Sequence, residues 1–366
     1  MLVYFITIFI LFAFSLHELI SNNIRKKKIL LYFSYLLLVV VVGLRWETGT
    51  DWDAYLNVFS TTTSLQDVFL SPMEKGFLLS NYFVNIFTDS YSFYLLLHAI
   101  LFYYLIIKSF SKITQYPQLT LMLFFASTLG MMGSSRQLLA VALCLYGLSY
   151  LIENKKINFI ISIVISFFFH TTSLLASVYY FLNRKIKSWI LYLSIFIAFV
   201  IGKTQLPIAL FSLFGGLNTF SMDKSDAYLS TAKEVLQTTE LSVLGLTKRL
   251  LFLLIFILIR EKVSEKLKHY NLLLNGYVFG TIFYFLFSST LLVMVSRGSV
   301  YFAMMEPILL TSILYVLKRD IDKLVFLFVM LALAILLMYQ SISPYPDLFD
   351  PYKSIFINID FHRYMY

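Results

Sequence analysis

The sequence predicts an all-α, polytopic membrane protein of about twelve transmembrane or re-entrant helices, within a range of about ten to fourteen. Three observations carry that expectation. The 366 residues are 59% hydrophobic and 13% charged, with a mean hydropathy of +0.80, where soluble chains carry roughly a quarter charged residues. Runs such as 29–43, 188–202 and 324–338 are nearly free of charge and long enough to enter a bilayer as helices. Lys and Arg, finally, gather in short connections between such runs.

Those basic clusters set the order of the elements, because short cytoplasmic loops are enriched in Lys and Arg. Arg25–Lys28, Lys108–Lys112, Lys155–Lys156, Arg184–Lys187, Arg260–Lys268 and Lys318–Lys323 hold 18 of the 29 Lys and Arg residues. With the clusters inside, spans fall near 2–20, 29–44, 91–107, 118–132, 136–152, 188–202, 248–259, 271–290, 297–317 and 324–342. Residues 157–182 are long enough for one span, but a single crossing would export Arg184–Lys187 and every later basic loop. The expectation is therefore a pair of short segments, about 157–169 and 172–182, turning at His170-Thr171-Thr172. Both termini then lie outside. So do a first long loop over 45–90, a second over 203–247 and a C-terminal tail over 343–366, all on one integral membrane domain.

The net charge of +9 is read through this topology, and no basic face with interleaved stacking aromatics suggests nucleic acid. The single cysteine, Cys144, excludes an intramolecular disulfide and is read as a packing residue. No basic residue precedes the first apolar stretch, so the N-terminus is read as a first span and not as a cleaved signal. There is no His/Asp/Glu spacing of a metal site and no phosphate-cradling glycine loop, which argues against a nucleotide-driven pump or kinase.

The first outer loop contains an apolar segment, Gly76–Phe87, read as an interfacial helix or a re-entrant piece. The second carries Gly215-Gly216 with Asp223, Asp226, Glu234 and Glu240. Long loops on one face of a scaffold are where sites are built. No internal repeat of the transporter kind is evident.

Four arginines stand at outer helix ends: Arg45, Arg136, Arg249 and Arg297. Arginine there runs against the charge rule and needs a cause. One cause is a cationic pocket for a diphosphate, which guanidinium forks match and which helix N-termini favour. The other is snorkelling to headgroups or pairing with local acids such as Glu47. His170, within "FFFHTTS", is either a proton-transfer group or a hydrogen-bonded interfacial residue. His98, His269 and His362 take no role. Asp51 and Asp53, in "RWETGTDW" and just after it, read equally as a helix N-cap with acids in the first turn. Glu306, before Pro307, either lines a polar cavity or pairs with a cation of another helix.

Taken in order, "GTDWDAY", "MEKGF", "SSRQLLAVAL" then "ENKK", "FFFHTTSLL" and "RGSVYF" resemble the EpsG/Wzy-like family of bacterial exopolysaccharide and O-antigen polymerases. The resemblance implies a lipid-phosphosugar glycosyltransferase scaffold of the GT-C-like kind in the bacterial cytoplasmic membrane. It implies joining of oligosaccharide repeat units carried on undecaprenyl diphosphate, without cofactor or obligatory metal, with a chain-length regulator as an expected partner besides membrane lipids. In that chemistry the candidate bases are Asp51 and His170, and the diphosphate ligands are Arg45, Arg136, Arg249 and Arg297. Glu74 orients sugar, and Trp52 and Tyr55 stack on it. A flippase for the same lipid-linked sugars and a glycan ligase are the rival readings.

Overall fold

A computed structural model describes residues 1–209, 243–289 and 292–356. Among these residues the regular structure is helical, with one isolated antiparallel bridge between Arg45 and Ser354. Five helices are long and apolar enough to cross a membrane: Leu2–Ile20, Tyr91–Ile113, Ser135–Ile152, Tyr270–Phe287 and Asp320–Ile342. Five further apolar helices are shorter. The protein is thus a multi-pass helical membrane protein. The chain divides into two compact units, Met1–Leu174 with Leu317–Tyr366, and Leu175–Val316.

The first unit opens with α1 (Leu2–Ile20) and α2 (Ile24–Gly43), the latter capped by Asn23 accepting from the Lys26 N–H. Three short helices follow: α3 (Trp52–Thr61), α4 (Leu65–Leu70) and α5 (Lys75–Asn85). Ser64 and Asp67 form a capping box at α4. Then come α6 (Tyr91–Ile113), α7 (Pro117–Thr128), α8 (Ser135–Ile152) and α9 (Lys156–Phe167). Proline at N1 suits the start of α7, where its missing N–H is not needed. The next two N–H groups, of Gln118 and Leu119, donate to the buried Glu18 carboxylate at 3.0 and 3.4 Å. The first N–H groups of a helix lack partners within it, and the Glu18 oxygens supply acceptors for two of them, which explains an acid in an apolar helix.

Two ends of this unit are distinguishable. At one, Glu153 pairs with Lys112 and Lys155, near the turns that follow α1 and α6. At the other, the tail closes on the chain after α2. Trp46 N–H donates to the Lys353 carbonyl at 3.0 Å, Ile355 N–H to that of Leu44 at 3.1 Å, and Tyr4 meets Tyr352 edge-on. Helix Asp320–Ile342 spans the two ends, its Ser341 hydroxyl accepting from Gly130 N–H at 3.3 Å. Glu47 pairs with Lys353, not with Arg45.

The turn expected near His170 is present. α9 stops at Phe167 and a 3-10 helix runs over Thr171–Val178. In a continued helix Ser166 and Ser173 would stand about 10 Å apart along the axis, yet their hydroxyls are hydrogen-bonded at 2.9 Å, so the chain turns sharply between them. Cys144 is buried against the same two serines, as a packing residue. α5 buries Phe77, Leu78, Asn81 and Val84 and leaves Leu79 and Phe83 exposed, as are Ile86 and Phe87 just after it, the pattern of a helix lying at an apolar interface.

The second unit contains α10 (Tyr179–Leu182), α11 (Ser188–Gly202), α12 (Val243–Lys266) and α13 (Tyr270–Phe287). The span expected over 297–317 falls on an apolar helix, Val300–Tyr315, subdivided at Met304 and in its last turn and preceded by a short helix. The pieces in order are α14 (Leu292–Gly298), α15 (Val300–Ala303), α16 (Met305–Thr311) and a 3-10 turn, Ser312–Tyr315. Pro307 supplies the reason for the division at Met304: it has no N–H and its ring collides with the carbonyl four residues back, at Ala303, where α15 ends. Of the second long loop, Gly215, Gly216, Asp223, Asp226, Glu234 and Glu240 lie outside the described residues.

Candidate functional site

The densest polar cluster of the first unit lies at the end where the tail closes, and it is assembled by close backbone approaches. Gly49 has φ of 91°, a conformation that glycine alone adopts freely. A β-carbon there would stand 2.5 Å from the Gly133 backbone. This contact seats the start of α3 against the start of α8, and the Ser134 hydroxyl donates to Asp51 at 3.1 Å. Gly76 plays the same part for α5. Its N–H donates to the Phe168 carbonyl at 2.8 Å, and a β-carbon would stand 2.7 Å from that oxygen. The turn carrying His170 is thereby laid beside Glu74.

Arg136, in the first turn of α8, is the centre. Its Nε donates to the Tyr55 hydroxyl at 3.1 Å, and its Nη1 is ion-paired with Glu74. The guanidinium lies 5.2 Å from the Tyr55 ring centroid and 5.6 Å from that of Phe77, within cation–π range. Burial opposes ionisation of Glu74, but the Arg136 charge, aided by His170 and the Thr171 N–H, holds its carboxyl below the usual range. Burial raises the Tyr55 pKa, which keeps it a neutral phenol. Its hydroxyl also interacts with Asp51. The buried His170 ring shares a 2.7 Å hydrogen bond between Nδ1 and the Thr172 hydroxyl, which fixes its orientation.

Asp51, Tyr55, Glu74, Arg136 and His170 are therefore brought together from four segments far apart in sequence. Asp51 occupies the N-cap position of α3, but its carboxylate makes no capping hydrogen bond. It faces Ser134 and Thr50 instead. Such a set can accept a proton, hold a cation in one orientation and offer donors to an anion.

Three expectations are corrected. Arg45 is 2% exposed, and its guanidinium donates to the carbonyls of Val42 and Met132. It braces the bundle and cannot reach a diphosphate in solvent or at a headgroup. Trp52 is 2% exposed and packs edge-on against Trp46 and Tyr91, so no sugar can stack on it. Tyr55 is likewise buried, its ring taken by Arg136 and Phe77; it holds the arginine and does not receive a sugar.

Arg249 and Arg297 belong to the second unit. Arg249 lies on the Tyr284 ring, 3.8 Å from its centroid, and donates to the Gly245 carbonyl. Arg297 is exposed on α14. Glu306 pairs with Lys248 at 2.9 Å, which decides its earlier alternatives in favour of a cation from another helix. Sequence reasoning missed Lys248, Ser134 and Thr172 as partners. Ser134 alone had a signal, standing in "GSSRQ" before an apolar run. Among the described residues no group of three His, Cys, Asp or Glu side chains gathers as a metal site.

Neither curated proteins nor solved structures gave a match to this chain. The EpsG family model matches residues 28–354, a stretch that includes every member of the Arg136 cluster, and the chain accordingly belongs to the EpsG family, membership that supports a general role in polysaccharide polymerisation.

Proposed function

We propose that the protein joins undecaprenyl-diphosphate-linked oligosaccharide repeat units at the outer face of the bacterial cytoplasmic membrane. The Arg136 cluster is the proposed reaction centre. The supporting observation is the convergence of one arginine, two carboxylates and a histidine at the end of the first unit opposite Glu153 and its lysines. The lysine-rich end is assigned to the cytoplasm. This leaves the cluster, the N-terminus and the tail outside and gives about twelve traversals in a GT-C-like arrangement. The exposed apolar side of α5 then seats in the outer leaflet.

In this reaction an acceptor hydroxyl attacks the anomeric carbon of the donor glycan. A carbon–oxygen bond forms, the bond to the diphosphate oxygen breaks, and the diphosphate leaves with the electron pair. The hydroxyl proton passes to a base. Asp51 is the proposed base, because its carboxylate is partly accessible and is not used to cap α3. His170 and Glu74 are positioning residues: His170 faces Glu74, and Glu74 holds Arg136. The Arg136 Nη2 is the donor offered to the developing negative charge. Arg249 and Arg297 remain proposed diphosphate ligands, each tested by its own substitution.

The test is the chain-length distribution of surface glycan from a deletion strain carrying each variant. Single repeat units from Arg136→Ala, with normal membrane levels, are the expected result. Internal accumulation of lipid-linked units would point to a flippase and untransferred long chains to a ligase. Full-length polymer from Arg136→Ala would end the reading.

A further inference from the structure

Glu47 has φ of 44°, in the left-handed region where a residue with a β-carbon is strained. Among the described residues the other non-glycine residue with positive φ is Asn154, a type that tolerates it. Glutamate has no such allowance, and a strained conformation persists only where its surroundings over-determine it.

The surroundings here act from both sides. Before Glu47, the tail pins the chain: Trp46 N–H donates to the Lys353 carbonyl at 3.0 Å, and Ile355 N–H donates to that of Leu44 at 3.1 Å. At Glu47 itself, the Lys353 ammonium meets the carboxylate at 3.2 Å, with the lysine side chain only 6% exposed. After it, Thr48 is buried and its hydroxyl donates to the Trp46 carbonyl at 3.0 Å. Gly49 then rests on Gly133, and the Asp51 carboxylate accepts from Ser134. Return of Glu47 to an ordinary φ near −60° would turn the following chain by about 100°. Gly49 would leave its seat, and Asp51 its place opposite Ser134. The ion pair is not needed to close the tail, which main-chain bonds already hold. A largely buried pair is in any case a weak staple, because desolvation offsets its attraction.

We propose that Lys353 is a positioning residue for Asp51. Its buried ammonium holds the Glu47 carboxylate, and through it the left-handed turn that places the base in the reaction centre. The lysine acts through Asp51 and touches no reacting atom. The proposal rests on the reading of Asp51 as the base.

The experiment measures kcat and KM for polymer formation in membranes supplied with lipid-linked repeat units, normalised to protein by immunoblot. Lys353→Met should lower kcat by about 10- to 100-fold, as a small misplacement of a reacting group does, with KM unchanged. Two double variants, each lacking both charges, separate positioning from stapling. Glu47→Gly with Lys353→Met keeps the turn, since glycine adopts positive φ without strain, and should recover most of the rate. Glu47→Ala with Lys353→Met should stay slow. Equal rates for the two would overturn the proposal, and this comparison decides alone should Lys353→Met not accumulate. In an Asp51→Asn background Lys353→Met should add little further loss; its full factor there would overturn the proposal while leaving Asp51 as the base. A wild-type rate for Asp51→Asn alone would overturn that reading and this one with it.

Discussion

Replacing Glu74 by glutamine removes one charge from the Arg136 pair while keeping an oxygen that can accept from Nη1. The two side chains are 18% and 10% exposed, so the pair is largely desolvated. Breaking a fully buried pair costs about 3–5 kcal/mol, and a charged hydrogen bond is worth about 1.5–3 kcal/mol. Partial exposure and the retained Tyr55 bond discount the first figure, and the glutamine oxygen discounts it further. About 2 kcal/mol remains, or roughly a 30-fold weakening of any step that depends on the guanidinium's placement. The assay is the initial rate of polymer formation in membranes supplied with lipid-linked repeat units, normalised to the amount of protein by immunoblot. A double-mutant cycle with Arg136→Gln should show coupling of about 1–2 kcal/mol, because the residues touch. A wild-type rate for Glu74→Gln, or strict additivity in the cycle, would refute the argument that Glu74 acts through Arg136.

Three further outcomes are expected. Asp51→Asn should lower the rate by about 100-fold or more, as loss of a general base does, with an unchanged thermal midpoint since no cap is lost; a rate near wild type would remove Asp51 as base. The lowered Glu74 pKa sets a pH dependence: its stabilisation is fully present above the ordinary carboxylate value of about 4.3 and is lost as pH falls through the lower folded value. Thermal midpoints should therefore show a Glu74-dependent fall only in strong acid, one that Glu74→Gln lacks. Glu306→Gln should destabilise by about 2 kcal/mol, because Lys248 is left charged and mostly buried. Lys248→Met with Glu306→Gln should recover much of that loss in the detergent melting curve, and no recovery would show that the pair is not what fixes α12 to α16.

What the sequence makes legible here is governed by range. Charge asymmetry between loops is a sum over many residues, so it locates helices and even the turn at His170, where a single crossing would export the ten Lys and Arg residues of Arg184–Lys187, Arg260–Lys268 and Lys318–Lys323. The interruption at Met304 is a local matter too: the conflict of the Pro307 ring with the Ala303 carbonyl is written in the sequence. Side-chain direction is different. "RWETGTDW" sends Arg45 and Trp52 inward and leaves Asp51 partly exposed, and nothing within those eight residues distinguishes them. The deciding partners are Met132, Tyr91 and Ser134, brought in by the Gly49–Gly133 contact. A cap, likewise, is a position and a bond; Asp51 has the first without the second. Chemistry-bearing residue types were thus recognisable as a set, whereas their division into brace, platform and reactive group is a property of the contacts between distant segments. Arg45 shows the consequence most plainly: the residue that looked like a ligand for a large external anion is instead buried and bonded to the carbonyls of Val42 and Met132.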